Sequence, residues 1–225
     1  MAGPFANWPP TRHEFFRETR THRPIFQGDV FENVPYIKGQ AGDRPDVEPK
    51  VRIERRPMMA LAYPCEMYVR GVLARLQAVV VVREGSKLGM REDWSGLFSG
   101  CPLPDLFGDG VLWAADFLTI SSVDRSYLTE ANRVASLTEL GWAYLRQRLA
   151  LYFTRVTAHL GDLQQAGRAT WDETGLWEQW NALGRQSSEY QSWLDILDPQ
   201  IGFTRRQALE RGVRHLVAST LLGRA

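Results

Sequence analysis

The spacing of apolar residues changes once along this chain of 225 residues, near Ser126. Before that point, apolar residues come in short runs that glycine and proline separate. After it, they recur at steps of three and four residues, a spacing that places them on one face of an α-helix. The pattern therefore predicts a β-rich first half and a helical second half.

The strongest strand signal in the first half is the run 76–83, which contains four consecutive valines at 79–82. Such a run is typical of a strand that is buried on both faces. Further strands are predicted from Gly28 onward, near 101–106, across 51–62 and across 110–122. Because no long helix separates these runs, residues 28–128 are expected to form a small antiparallel barrel, with 79–82 and 112–120 as its central strands.

The second half is predicted to begin with one long helix, from about residue 129 to residue 159. Its buried face would consist of Val134, Leu137, Leu145, Leu149 and Phe153. A second helix is predicted at 172–183, with Asp172 as its N-cap, and a third helix at 187–197. Thr204 is the candidate N-cap of a last helix.

The first 27 residues differ from both halves, because several prolines interrupt them. They are predicted to form an arm, with two helical turns across 12–20. The resulting fold class is α+β: an N-terminal arm at 1–27, a barrel domain at 28–128 and a helical C-terminal region at 129–225.

Composition argues against several classes of protein. The apolar runs are shorter than the ~20 residues that a membrane-spanning helix needs, so no membrane partner is expected. The net charge of +1 creates no overall field that would attract the chain to nucleic acid or to a membrane. With two cysteines and no basic start followed by an apolar run, the chain is expected to be cytoplasmic.

Motifs that bind metals or cofactors are missing from the sequence. The four histidines are scattered, and none has another ligand residue at metal-binding spacing. The sequence also has no phosphate loop, dinucleotide fingerprint or nucleophile elbow. Neither a metal ion nor a cofactor is therefore predicted.

Asp116 stands out among the acidic residues, because it lies inside an apolar run between Ala115 and Phe117. A buried carboxylate needs an arginine or backbone N–H groups as partners. A structural ion pair is the favoured role for this side chain, and catalysis is the alternative.

Three arginines, Arg133, Arg148 and Arg155, form a second candidate site on the predicted long helix. They are separated by fifteen and seven residues, which are near-integral numbers of helical turns. On one continuous helix they would form a basic stripe. Such a stripe is either a solvated helix edge or a surface that binds RNA or a partner protein.

Four segments of the first half resemble the MazF/PemK family of toxin-like small barrels. These segments are Gly28-Asp29-Val30-Phe31, Arg56-Pro57 with the apolar residues 58–62, the valines at 79–82, and the run 110–120 around Asp116. The resemblance covers residues 28–128, about half of the chain, and implies an SH3-like barrel.

In that family, the barrel cleaves RNA without a metal ion. It uses an arginine at the Arg-Pro position, an acid in the preceding loop, and a Thr or Ser after the next strand. The resemblance places Arg56 at the arginine position and makes Glu54 the nearest acid, so these two residues are the implied catalytic pair. The Thr or Ser has no match, because Val82 is followed by Arg83 and Glu84.

Two classes of function follow from these features. The first is a non-catalytic interaction or assembly protein, which docks partner chains or further copies of itself through the N-terminal arm and the helical region. The alternative is a toxin-like RNA-binding protein or metal-independent endoribonuclease of a toxin–antitoxin or phage-related system. A concave basic surface around Arg56 would favour RNA, and a flat or covered surface would favour assembly.

Overall fold

The computed structural model describes residues 11–17, 24–40, 50–63, 67–69, 72–88, 99–200 and 202–222. The strands are β1 Val30–Gln40, β2 Lys50–Ala60, β3 Tyr68–Val69, β4 Val72–Leu73, β5 Leu76–Glu84, β6 Gly100–Leu103, β7 Trp113–Asp124, β8 Arg133–Ala135, β9 Leu197–Asp198 and β10 Phe203–Thr204. The helices are α1 Arg12–Phe15, α2 Glu139–Thr154, α3 Leu160–Ala182, α4 Ser187–Leu194, α5 Arg205–Glu210 and α6 Arg214–Leu221. The 3₁₀ turn Gly85–Leu88 follows β5.

One antiparallel sheet organises the first half of the chain. It has six strands in the order β6-β7-β5-β2-β1-β8, and every neighbouring pair is antiparallel. The predicted α+β class is confirmed. The strand that contains 79–82 is central in the sheet, as predicted, whereas the strand around 112–120 lies next to the edge strand β6. In the described part of the chain, the edge strands β6 and β8 do not pair with each other. The sheet is therefore open, and the expected closed barrel is not confirmed.

Around β5, both faces of the sheet are covered by apolar side chains. Val80 and Val82 belong to a core that also contains Trp142 and Leu145 of α2. The alternate valines, at 79 and 81, face a second core on the other side of the sheet. This alternation is the reason that four valines in a row are all buried.

The two central strands β2 and β5 pair over only a short distance, from Met58 and Val81 to Ala60 and Val79. The pairing stops next to Pro57, which has no N–H group to donate to a neighbouring strand. Beyond this point β2 continues to pair with β1 as far as Gln40 and Lys50, as a two-stranded ribbon. A cleft therefore opens between the β1–β2 ribbon and the end of β5.

Helix α2 is shorter than the predicted helix at 129–159, because residues 133–135 form β8 and pair with β1. Thr138 then starts the helix by accepting a hydrogen bond from the Gly141 N–H. Leu145 is fully buried, as predicted. Phe153 is 65% exposed, so its predicted place on the buried face is wrong.

The remaining helices agree with the sequence in part. Thr204 caps α5 in a capping box, as predicted. Asp172 lies inside α3 rather than at its start, so the predicted N-cap there is wrong. Helix α1 has a single turn, and part of the two turns predicted at 12–20 lies outside the described residues. Helices α3 to α6 share an apolar cluster that extends from Leu176 to Leu221.

The division into domains at residue 128 stays a prediction, although β8 of the helical region joins the sheet. The described segment 11–17 of the predicted arm packs on the same chain: Phe15 and Phe16 are buried, and Phe16 forms a β-bridge with Leu137. Each helix within the described ranges is too short or too polar to cross a membrane.

Candidate functional site

The cleft between β2 and β5 contains a pocket with a volume of about 280 Å³. Strands β1, β2, β5 and β7 and the 3₁₀ turn all contribute to its wall. The described lining residues are Tyr36, Lys38, Glu54, Arg56, Pro57, Val81, Val82, Arg83, Glu84, Lys87 and Trp113. The pocket is thus lined by Glu54 and Arg56, the two residues that the family resemblance implies as catalytic.

Glu54 and Arg56 face the pocket together because alternate residues of a strand point to the same side. The Nε and Nη2 atoms of Arg56 both donate to Oε2 of Glu54, at 3.0 and 2.6 Å. This hydrogen bonding from Arg56 holds the pKa of the Glu54 carboxyl below its usual range. Glu54 is therefore ionised at neutral pH, and Arg56 is held in a defined orientation while about half of its side chain stays exposed.

Asp116 forms an ion pair with Arg83, the second arginine that lines the pocket. Its carboxylate is nearly fully buried, and Oδ2 lies 3.3 Å from Nε of Arg83. Its other oxygen accepts the backbone N–H of Leu118 at 3.1 Å. The buried acid thus has both kinds of partner that burial requires, and it orients a cation that lines the pocket.

A bulge in β7 shapes the backbone beside Asp116. Val79 pairs with Ser121 and Val81 pairs with Asp116, so β7 contains extra residues between these two pairs. The Thr119 hydroxyl accepts the Val81 N–H at 2.9 Å and donates to the Asp116 carbonyl at 2.7 Å. Bulges change the direction in which neighbouring side chains point. The hydrogen bonds of Thr119 hold the backbone of this bulge in place next to Asp116, which pairs with Arg83.

Positive charge exceeds negative charge among the described lining residues. The cations are Lys38, Arg56, Arg83 and Lys87, and the carboxylates are Glu54 and Glu84. Lys87 Nζ lies 2.7 Å from Glu84 Oε1, so this lysine also has an acidic partner. A chain with a net charge of only +1 therefore concentrates cations in one concave place.

Two aromatic side chains line the same pocket, Tyr36 on β1 and Trp113 at the start of β7. Sequence reasoning singled out neither of them, nor Lys38, Arg83 or Lys87. Strand register brings these residues together from β1, β5, the 3₁₀ turn and β7. Their positions in the sequence carry no motif that would have identified them.

The basic stripe predicted for Arg133, Arg148 and Arg155 does not form, so this prediction is wrong. Arg133 lies on β8 and is buried, with Nη1 3.4 Å from Oδ2 of Asp29. Arg148 is buried within α2, and burial lowers the pKa of its guanidinium. Arg155 follows the last residue of α2 and is exposed. The stripe required one continuous helix, whereas the helix begins at Glu139.

In the ranges that the structure describes, no group of three or more His, Cys, Asp or Glu side chains is placed to hold a metal ion. The chemistry of the pocket instead comes from guanidinium, ammonium, carboxylate and aromatic groups. Such a set can bind an anion that also carries a planar ring.

No protein-family model matches this sequence, and no curated protein gives a significant match. The relation to the MazF/PemK family therefore rests on the four motifs alone and stays a prediction.

Proposed function

We propose that the pocket between β2 and β5 binds single-stranded RNA, with a phosphate group held by Arg56. One observation carries this proposal: Arg56 lies in a concave pocket together with three further cations and two aromatic side chains. A flat or covered surface around Arg56 would have favoured assembly instead.

A phosphate fits the charge of the pocket. Arginine presents a planar set of N–H donors that matches two phosphate oxygens at once. Arg56 directs two of its donors to Glu54, and the rest of its guanidinium is available to a ligand. Arg83 and Lys87 are oriented by acidic partners of their own, so little side-chain entropy is lost when an anion binds.

A single strand of RNA fits the rest of the lining. Proteins that bind single-stranded nucleic acid combine a basic groove with aromatic side chains on which the bases stack. The pocket has both features. A site that binds phosphate alone does not require aromatic side chains such as Tyr36 and Trp113. Bases of an unpaired strand can also turn outward and enter a concave site, which paired bases cannot do.

Metal-independent cleavage is a further activity within this proposal. The Glu54 carboxylate is of the right type to accept the proton of a 2′-hydroxyl, and Arg56 could stabilise charge on the phosphate. The hydrogen bonds from Arg56, however, lower the pKa of Glu54 and so make it a weak base. Binding is therefore the function that the geometry supports best.

The resemblance to the MazF/PemK family supports the same proposal, because the Arg-Pro motif of that family corresponds to Arg56 and Pro57 in the pocket. That the open sheet is a relative of the SH3-like barrel is part of this proposal. A role in a toxin–antitoxin or phage-related system would follow from it.

The other class of function, interaction or assembly, has less support. It relied on docking through the N-terminal arm and the helical region, but Phe15 and Arg17 of the arm make their contacts within the chain. Arg17 binds Glu178 of α3 at 2.8 Å, and Phe15 is fully buried. If the protein binds no RNA, an assembly role through the helical region becomes the better explanation.

The test is to measure the affinity of a fluorescently labelled single-stranded RNA for the parent and for Arg56→Ala, at several salt concentrations and with chelator present. Loss of a charge-assisted hydrogen bond should weaken binding about tenfold or more. It should also reduce the slope of log affinity against log salt by ~0.7, the value for one phosphate contact on a single strand.

Two variants make this test specific. Arg56→Lys keeps the charge and loses the planar donors, so its affinity should fall between those of the parent and Arg56→Ala. Arg75→Ala is the matched control, since Arg75 also pairs with an acid, Asp124, but lies outside the pocket. If the parent shows no salt-sensitive binding, or if both alanine variants bind equally well, the proposal is wrong. Gel analysis of the same samples detects cleavage.

A further inference from the structure

Trp113 contributes an aromatic surface on β7, the pocket-lining strand that lies farthest from β1 in the order of the sheet. It is the first residue of β7, and it pairs with Glu84 on one side and with Leu103 on the other. The side chain is half-buried, so part of the ring packs on the protein while part remains accessible from the pocket.

The orientation of the indole ring is fixed before any ligand binds. Its Nε1 donates to both carboxylate oxygens of Asp109, each at 3.3 Å. Phe107 packs against it edge to face, with ring centroids 4.8 Å apart. Asp109 is itself held by the Val111 N–H, at 3.0 Å. A ring held in this way loses little conformational freedom on binding.

The hydrogen bonds to Asp109 also determine which interactions the Trp113 ring can make with a ligand. Because Nε1 already donates to Asp109, the indole has no free donor for a hydrogen bond to a ligand. What remains is its flat aromatic surface, which suits stacking against another planar ring. Stacking of this kind is tolerant of sequence, because every base has such a surface.

Cations line the same pocket as this aromatic surface. Glu84, the β5 partner of Trp113, binds Lys87, and the preceding residue, Arg83, is held by Asp116. A ligand on Trp113 would therefore share the pocket with positive charge. A nucleotide has this combination of a flat base with a neighbouring phosphate.

We propose that Trp113 is the stacking surface for one unpaired base of the bound RNA, whose phosphates bind the cations of the pocket. This inference rests on the proposed function and names the part of the RNA that enters the site. The pocket volume of about 280 Å³ lies just below the ~300–1,000 Å³ that is usual for ligand sites, which suits a single nucleotide unit.

The test compares two single-stranded RNAs of the same length and charge, one with bases and one made entirely of abasic nucleotides. Trp113→Leu keeps apolar bulk but removes the aromatic surface, whereas Trp113→Phe retains an aromatic ring. Phe153→Leu is the control, because this exposed aromatic residue lies outside the pocket. Thermal unfolding of each variant checks that the fold is retained.

Trp113→Leu should weaken binding of the RNA with bases by between about 5-fold and 150-fold. Its affinity for the abasic RNA should change less than about twofold, because phosphate contacts are unaffected. Trp113→Phe should retain most of the preference for RNA with bases, and Phe153→Leu should retain all of it.

Two results would overturn this inference in distinguishable ways. If the parent binds both RNAs equally through Arg56, or if Trp113→Leu weakens both equally, there is no base subsite at Trp113 although the proposed function stands. If the parent binds neither RNA, the proposed function fails and the base subsite fails with it.

Discussion

Asp29 and Arg133 form an ion pair in the interior of the protein, where both side chains are almost fully buried. Oδ2 of Asp29 also accepts the Phe26 N–H at 3.0 Å, so the carboxylate has more than one partner. Arg133 belongs to β8, and Asp29 immediately precedes β1. The ion pair therefore links the edge strand β8 to the start of β1.

Replacing Arg133 with Leu should lower the free energy of unfolding by about 3–5 kcal/mol, because the charge of Asp29 would stay buried without its arginine. Urea denaturation followed by circular dichroism measures this loss. Arg75→Ala, which removes one partner of an exposed pair, should leave the unfolding midpoint almost unchanged. If the two variants unfold at the same urea concentration, the buried pair does not stabilise the fold.

Sequence reasoning identified Glu54 and Arg56 because a short motif marks them, and it identified Asp116 because it interrupts an apolar run. It did not identify Arg83 and Trp113, which reach the pocket only through the register of β5 and β7. The apolar pattern of a strand restricts its register, but which residues of β5 and β7 lie opposite each other depends on pairing between segments that are distant in sequence.

Helix α2 illustrates, at the level of an element, where periodicity misleads. Val134 and Leu137 have the spacing of a helical face, yet Val134 lies on β8 and Leu137 forms a β-bridge with Phe16. A strand of three residues is too short to show its own period. The better signal is Thr138, an N-cap residue with Glu139 in the first helical turn.

Strands of the sheet were predicted more reliably than the first long helix. The β5 valines at 79–82 are buried whichever face they point to, so their assignment needs no knowledge of neighbouring elements. Barrel closure is a different matter. Whether the two edges of a sheet meet depends on twist, bulges and tilt summed over all strands, and short motifs do not determine that sum.

Leu145→Asp should destabilise the protein by several kcal/mol, because it places a charge without a partner in the core beneath the sheet. The control is Phe153→Asp on the same helix. Periodicity assigns both residues to the buried face, but Phe153 is exposed and its replacement should have little effect. Thermal unfolding of the two variants measures the difference. Equal melting temperatures would mean that α2 does not pack through Leu145.

At the scale of the whole molecule, the core on one face of the sheet contains residues from three parts of the chain. It includes Phe15 from the arm, Val80 and Val82 from the sheet, and Trp142 and Leu145 from α2. The cluster of the C-terminal helices, in contrast, consists of buried residues from Leu176 onward. The sheet thus depends on residues on both sides of position 128, while the last helices have a core of their own.

A chain that ends at residue 128 should therefore fail to fold, although it contains β1 to β7 and every described residue that lines the pocket. Without α2 it would expose Val80, Val82 and the rest of that apolar face to water, and without β8 it would lose Arg133, the ion-pair partner of Asp29. A chain that ends at residue 156 keeps both elements and should unfold cooperatively, with lower stability than the full chain because α3 is missing.

Urea titrations of the two chains, followed by far-ultraviolet and near-ultraviolet circular dichroism, separate these outcomes. A cooperative transition in the shorter chain would instead show that residues 28–128 are an independent domain, and that α2 only covers a sheet that is stable by itself.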